Sequence, residues 1–455
     1  MSTIKVNTVT TRSGSTLTLG ESGKTVQLAT GASQSGFGRT GTVNWVTTKK
    51  TASFTAVSGE GYFCDTAAVG AFTLTLPSSP SAGDIVGLKD YNGNFAIANL
   101  TIGRNGSPIN GGSGADVVIS TAGASLLLVY VDATQGWVAT QDDESTFAGD
   151  SYIVATGGTI TTSPCGSDKI HTFTGPGTFT VCSISNVAAN NLVSYVIVAG
   201  GGGTSNDRSG GGGAGGFREV KSPVTPGYTA SPLDGYPNSP NRVTVTATGF
   251  PIVVGGGGTA DTSPPFGDGG DGNNSSFGGI TAAGGGGGAR NNCEPAGVDG
   301  GSGGGAGSIA PHTARSGGAG NVPPTTPPQG NPGGNSQNTS PGYSTGGGGG
   351  AGGSGANASG AAAGDGGDGA TSSITGTPVT RAGGGGGGSD VGGQGGAATG
   401  GGGAGASGPS SPANVAVAGT DNTGGGAGGT SGGGPGVTAR TGGSGIVIIR
   451  YKFQR

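Results

Sequence analysis

Charge is scarce in this 455-residue chain. Asp, Glu, Lys and Arg make up 10% of it and the formal net charge is −4. Neither half is basic, so nothing points to nucleic acid or an anionic membrane as a partner. Cysteine is also scarce. Cys64, Cys165, Cys182 and Cys293 are too few for a disulfide scaffold, and no C-x-x-C spacing suggests zinc. Spacing leaves open whether Cys165 and Cys182 pair. The longest apolar run, Leu126 to Val131, falls far short of the roughly 18 residues of a membrane-spanning helix. The opening MSTIKVNTVT has neither a positively charged n-region nor an apolar h-region. The expectation is a protein made soluble in a cytoplasm; if it ends up outside a cell, something other than its own signal takes it there.

What the chain has in excess is glycine. There are 111, of which 27 lie in residues 1–200 and 84 in residues 201–450. A segment that is one-third glycine cannot be a helical enzyme domain, because each interior glycine costs a helix roughly 1 kcal/mol relative to alanine. It is not collagen, since the glycines come in blocks such as Gly284 to Gly288 and Gly383 to Gly388 rather than at every third place. Low net charge also argues against plain disorder.

Outside the blocks the pattern is that of an all-β protein. Residues 1–40 alternate as thin strands suited to attachment or oligomerisation. Residues 41–145 predict an antiparallel β-sandwich or barrel of nine short strands, separated by turn signals such as Asn92-Gly93-Asn94. Trp45 and Trp137 are expected in its core or at an interface. Residues 146–200 predict a β-hairpin frame, in which HTFTGPGTFTV (171–181) reads as two strands around Gly175-Pro176-Gly177. The run Tyr195 to Ala199 enters the first glycine block, and the closing strand at 442–455 leaves the last one. Strands that can pair at both ends imply a folded module at 201–441.

A glycine block can adopt the polyglycine-II rod, with three residues per turn and no internal hydrogen bonds. Without Cβ atoms, such rods can pack closely and bond laterally. The fold class expected is therefore all-β, ending in a glycine-rich module of packed polyglycine-II rods framed by β-strands. Gly200, Gly255, Gly286, Gly348, Gly385 and Gly402 represent the blocks, and Gly286→Val should disrupt folding. One segment recurs: residues 267–276 match residues 364–373 at eight of ten positions, each carrying Gly-Asp-Gly-Gly-Asp-Gly.

Motifs for chemistry are weak. Ser22-Gly23-Lys24-Thr25 lacks the glycine and the following helix of a phosphate-binding loop. The Gly-Asp segments read as solvated turns rather than as tandem calcium repeats, although calcium at Asp268 and Asp271 or at Asp365 and Asp368 stays open. His171 reads as structural, and no Ser or Cys has a His and carboxylate in a motif. No enzyme, metal or cofactor is expected. The large polar residues between blocks are the binding candidates: Tyr236, Asn238, Arg290, Asn291, His312, Arg315, Asn338 and Tyr343.

HTFTGPGTFTV, YVIVAGGGG (195–203) and GGSGIVIIRY (442–451) resemble the glycine-rich domain of bacteriophage tail-fibre and adhesin proteins, over roughly residues 151–455. STIKVNTVTTRSGSTLTLG and residues 71–109 are similar to structural proteins of marine and cyanobacterial phages. The Pro/Tyr-rich insert at 222–250 departs from the usual glycine spacing. The resemblance implies a homotrimeric virion fibre, joined to other tail proteins through its N-terminal region. Its distal loops would bind a host surface glycan or outer-membrane protein. A purely structural head, collar or neck component, or a decoration without receptor binding, is the alternative.

Overall fold

The structure, a computed structural model, describes residues 43–112, 114–141, 152–262, 267–290, 296–308, 314–337, 343–390, 393–408, 415–432 and 438–453. The strands expected at 1–40 lie outside these residues. The chain divides into two compact units, Met1–Gly149 and Asp150–Arg455. Both are built of strands, with no α-helix among the described residues.

The first unit contains β1 (Asn44–Lys50), β2 (Phe54–Thr55), β3 (Glu60–Cys64), β4 (Phe72–Thr75), β5 (Ile85–Asp90), β6 (Leu100–Gly103), β7 (Val117–Ile119), β8 (Ser125–Tyr130) and β9 (Trp137–Gln141). All nine fall where the alternation predicts them. Two sheets, β1-β3-β5-β8-β9 and β2-β4-β6-β7, enclose one core that includes Tyr62, Leu74, Leu88, Leu100, Leu126 and Trp137. The pairing, however, is not wholly antiparallel. β1, β3 and β5 run parallel, as do β2, β4 and β6, with Asn44 opposite Glu60 and Glu60 opposite Val86. The chain coils: each strand of one sheet leads to a strand of the other before returning beside its predecessor. Parallel neighbours need a crossover, and here the opposite sheet supplies it. Only the last strands, β7 to β9, close the coil antiparallel. A buried carboxylate, Asp90, holds one corner by accepting the backbone N–H groups of Gly93 (3.0 Å), Phe95 (3.1 Å) and Gly123 (2.9 Å). Trp137 is fully buried, whereas Trp45 is 41% exposed and packs on Phe63 at the surface.

The second unit begins with β10 (Val154–Thr156), β11 (Thr159–Thr162), β12 (Asp168–Phe173), β13 (Gly177–Ser183), β14 (Leu192–Val198), β15 (Phe217–Val220), β16 (Val243–Thr244) and β17 (Gly249–Ile252). It continues with β18 (Ser275–Phe277), β19 (Ile280–Ala282), β20 (Ala370–Ser372), β21 (Val379–Arg381) and β22 (Ile446–Lys452). The two framing strands do pair: β14 lies antiparallel beside β22, with Ser194 opposite Arg450 and Val198 opposite Ile446. The main sheet runs β11-β12-β22-β14-β15. The expected 171–181 hairpin does not form. β12 sits between β11 and β22, so both its edges are taken, and β13 joins β10 and β17 in a separate sheet. Gly175-Pro176-Gly177 therefore carries the chain from one sheet to the other. Phe173 and Phe179 bury their rings in the core between them.

The two central strands of the main sheet, β14 and β22, are buried on both faces, so they read as nearly continuous apolar runs. Tyr195, Ile197, Val447 and Ile449 face the second sheet. Val196, Val198, Ile446 and Ile448 face Ala214, Ala351 and Ala382, which are rod-end alanines next to glycine blocks. One buried ion pair locks β12 to β22: Arg450 Nε and Nη2 reach Asp168 Oδ2 at 2.8 and 2.7 Å.

The blocks form rods in a hexagonal array, and the rod at 209–216 shows the rule. Gly210 and Gly213 donate to Ala289 and Gly286; Gly211 and Ala214 donate to Gly346 and Gly349; Gly212 and Gly215 donate to Ala427 and Gly424. Every third N–H thus faces the same neighbour, as three residues per turn require. The carbonyls accept from three further rods, through Gly202, Gly305 and Gly385. With its backbone satisfied on all sides, the rod needs no side chains to pack.

Candidate functional site

The rods have two different ends. One stands on the sheet through the alanines described above. The other carries a belt of hydroxyl side chains, among them Thr204, Ser209, Thr345, Ser389 and Thr430, each 0% exposed. They tie rod ends together. Thr345 Oγ1 donates to Ser209 O (3.1 Å) and Thr430 Oγ1 donates to Ser205 O (2.8 Å); the Arg440 N–H donates to Thr204 Oγ1 (3.0 Å). Beyond the belt, Arg208 Nε meets Asp390 Oδ2 at 2.8 Å and its guanidinium lies 4.7 Å from the Tyr343 ring centre.

The expected binding residues do not form one cluster. Arg290, Arg315 and Tyr343 lie at the belt end. The Arg290 N–H donates to Asp268 Oδ1 (2.8 Å), and the Arg315 N–H donates to Ser336 Oγ (3.2 Å) while the Ser336 N–H donates to Arg315 O (3.0 Å). Asn291, His312 and Asn338 lie outside the described residues. Tyr236 and Asn238 lie elsewhere, in the insert that packs beside β15. There the Gly235 N–H donates to Glu219 O (2.9 Å) and the Tyr236 N–H to Asp234 Oδ1 (3.0 Å).

The Gly-Asp repeat has a structural meaning that spacing alone did not reveal. The N–H groups of Gly284, Gly287 and Arg290, three residues apart on one rod, donate to Oδ1 of Asn274, Asp271 and Asp268. In the second copy, the Ala397 N–H donates to Asp365 Oδ1 (2.7 Å) and Thr399 Oγ1 to Asp368 Oδ1 (3.0 Å). These residues are largely exposed, but they do not form turns. They are rod residues whose side-chain oxygens accept N–H groups of the adjacent rod, as a backbone carbonyl would. Among the described residues, no group of three His, Cys, Asp or Glu is arranged to hold a metal ion. Cys165 and Cys182 are both free thiols.

The representative glycines all sit where a side chain cannot. A Cβ on Gly200, Gly255, Gly286, Gly348, Gly385 or Gly402 would fall on a neighbouring carbonyl, that of Gly256, Asn273, Val298, Gly212, Ala427 or Gly384 respectively.

A groove of about 530 Å³ opens beside β15, and sequence reading missed it except for Asn238. It brings together Arg218, the 238–241 segment, the β18–β19 turn and Thr325-Thr326. Buried Asn241 organises it. Its Oδ1 accepts from Arg218 Nη2 (2.6 Å), its Nδ2 donates to Thr326 O (2.8 Å), and its carbonyl accepts from Tyr195 Oη (2.5 Å). Burial pulls the Arg218 guanidinium below its ordinary pKa. These residues are separated by up to about a hundred positions, so no motif announces them.

A search of curated protein sequences finds no match. The family model described as the glycine-rich domain matches residues 173–452, more than half of the chain, from the end of β12 to the end of β22. The chain therefore belongs to the glycine-rich domain family.

Proposed function

We propose that the chain is a non-enzymatic bacteriophage virion fibre protein, a receptor-binding adhesin that attaches the tail to a host cell. In this reading the polyglycine-II slab is a rigid holder, and the segments between its rod ends make the contact. The supporting observation is that neighbouring rods end together on a belt of buried Ser and Thr side chains that ties them to one another. Loops positioned by a rigid scaffold are where recognition is commonly built. The expected partners are a host glycan or outer-membrane protein at that face and virion proteins at the N-terminal region, with the chain as a homotrimer.

The test is attachment. Labelled full-length protein is incubated with a panel of marine bacteria and cyanobacteria, beside variants in which 309–313 or 338–342 is replaced by Gly/Ser of equal length. The expected result is saturable binding to some strains and its loss in at least one variant whose melting temperature is unchanged. Binding to no strain, or binding indifferent to both replacements, would favour a purely structural virion role.

A further inference from the structure

We propose that the groove beside β15 is a binding site for an acidic sugar, with Arg218 holding the sugar's carboxylate. Three observations carry this. First, Arg218 is a half-buried cation without a counter-charge. Its Nη2 meets only the neutral Asn241 Oδ1, and no carboxylate pairs with it among the described residues. Arg208 and Arg450, by contrast, each meet an aspartate. Removing a charge from water without a partner is costly, and a bound anion would supply the missing partner. The guanidinium presents a planar fork suited to a carboxylate, and its Nε and Nη1 meet no acceptor among the described residues.

Second, the groove is too large for a bare inorganic anion. Its volume of about 530 Å³ lies in the range of small-molecule sites. Around the arginine stand the side chains of Thr281, Thr326 and Asn238, which can bond hydroxyls, and of Ile280 and Pro240, which can pack against the C–H face of a ring. Third, the walls are held in place before any ligand arrives. Asn241 is fixed by the bonds described above, and Thr325 is tied to Asn321 through its N–H (2.9 Å) and Oγ1 (3.0 Å). A preformed site spends little binding free energy on ordering.

The groove lies beside the sheet and not at the belt end, so this inference does not depend on the adhesin reading. The test titrates the full-length protein with sodium glucuronate and sodium galacturonate by calorimetry, with methyl glucoside and inorganic phosphate as comparisons. The expected result is saturable binding of at least one uronate and none of methyl glucoside. Arg218→Met should weaken uronate binding at least about tenfold, and Thr326→Val about threefold. If Arg218→Met does not fold, Thr326→Val and Asn238→Ala, both changes at exposed side chains, carry the test. No saturable binding of either uronate would overturn the proposal, as would undiminished binding in these variants. Phosphate binding as tight as uronate would overturn the assignment to a sugar. Loss of uronate binding with cell attachment intact separates this groove from the belt end.

Discussion

Within Gly255 to Gly258, neighbouring residues of one type have opposite tolerances. A Cβ on Gly257 would fall on the Gly442 carbonyl, whereas one on Gly256 meets nothing closer than Asn273 Nδ2 at 3.8 Å. Gly257→Ala should therefore cost at least about 3 kcal/mol by urea unfolding, because rigid backbone cannot give way. Gly256→Ala should be neutral or gain up to about 1 kcal/mol by restricting the unfolded chain. His171 offers a second residue-level test. It is buried, with Nδ1 2.7 Å from Gly157 O and Nε2 3.1 Å from Tyr451 Oη, and burial lowers its pKa. The folded state then binds fewer protons than the unfolded chain, so stability falls as pH drops below about 6.5, with a slope approaching about 1.4 kcal/mol per pH unit. Melting curves of wild type and His171→Gln should diverge with pH in that window, the wild type losing more on acidification. That glycine fills the blocks was plain in the sequence. Which glycines are indispensable was not, because the colliding carbonyl belongs to a rod far along the chain.

For elements, the Asx-capped rod makes a prediction that composition could not. Asp271→Ala leaves the Gly287 N–H without its acceptor and should cost about 1–3 kcal/mol by urea unfolding. Asp271→Asn keeps the oxygen and should lose less than half of that. Strand positions were legible, since alternation marks which residues can be half-buried whatever the partner. Pairing was not. Alternation is the same for parallel and antiparallel neighbours, so β1, β3 and β5 gave no hint of their common direction. The residues around Gly175-Pro176-Gly177 are those of a hairpin in every local respect. What overrides them is the closing strand β22, some 280 residues away, which takes the edge of β12 that β13 would have used. The Arg218 groove was illegible for the same reason, its parts meeting only after the sheet and rods are assembled.

At the scale of the whole molecule, two units with separate cores should unfold separately. Calorimetry of the full chain should show two transitions, and residues 150–455 expressed alone should keep one of them at an unchanged temperature. A single transition that shifts on truncation would mean that the units depend on each other. Inside the second unit, the threefold rod imposes something like a reading frame. Each residue added within a rod rotates all that follow by a third of a turn and re-addresses every later N–H to the wrong neighbour. Additions of one or two residues are therefore frameshifts, while three restore the addressing beyond them. Between rods no such frame exists, so a change of length there leaves the addressing inside each rod intact.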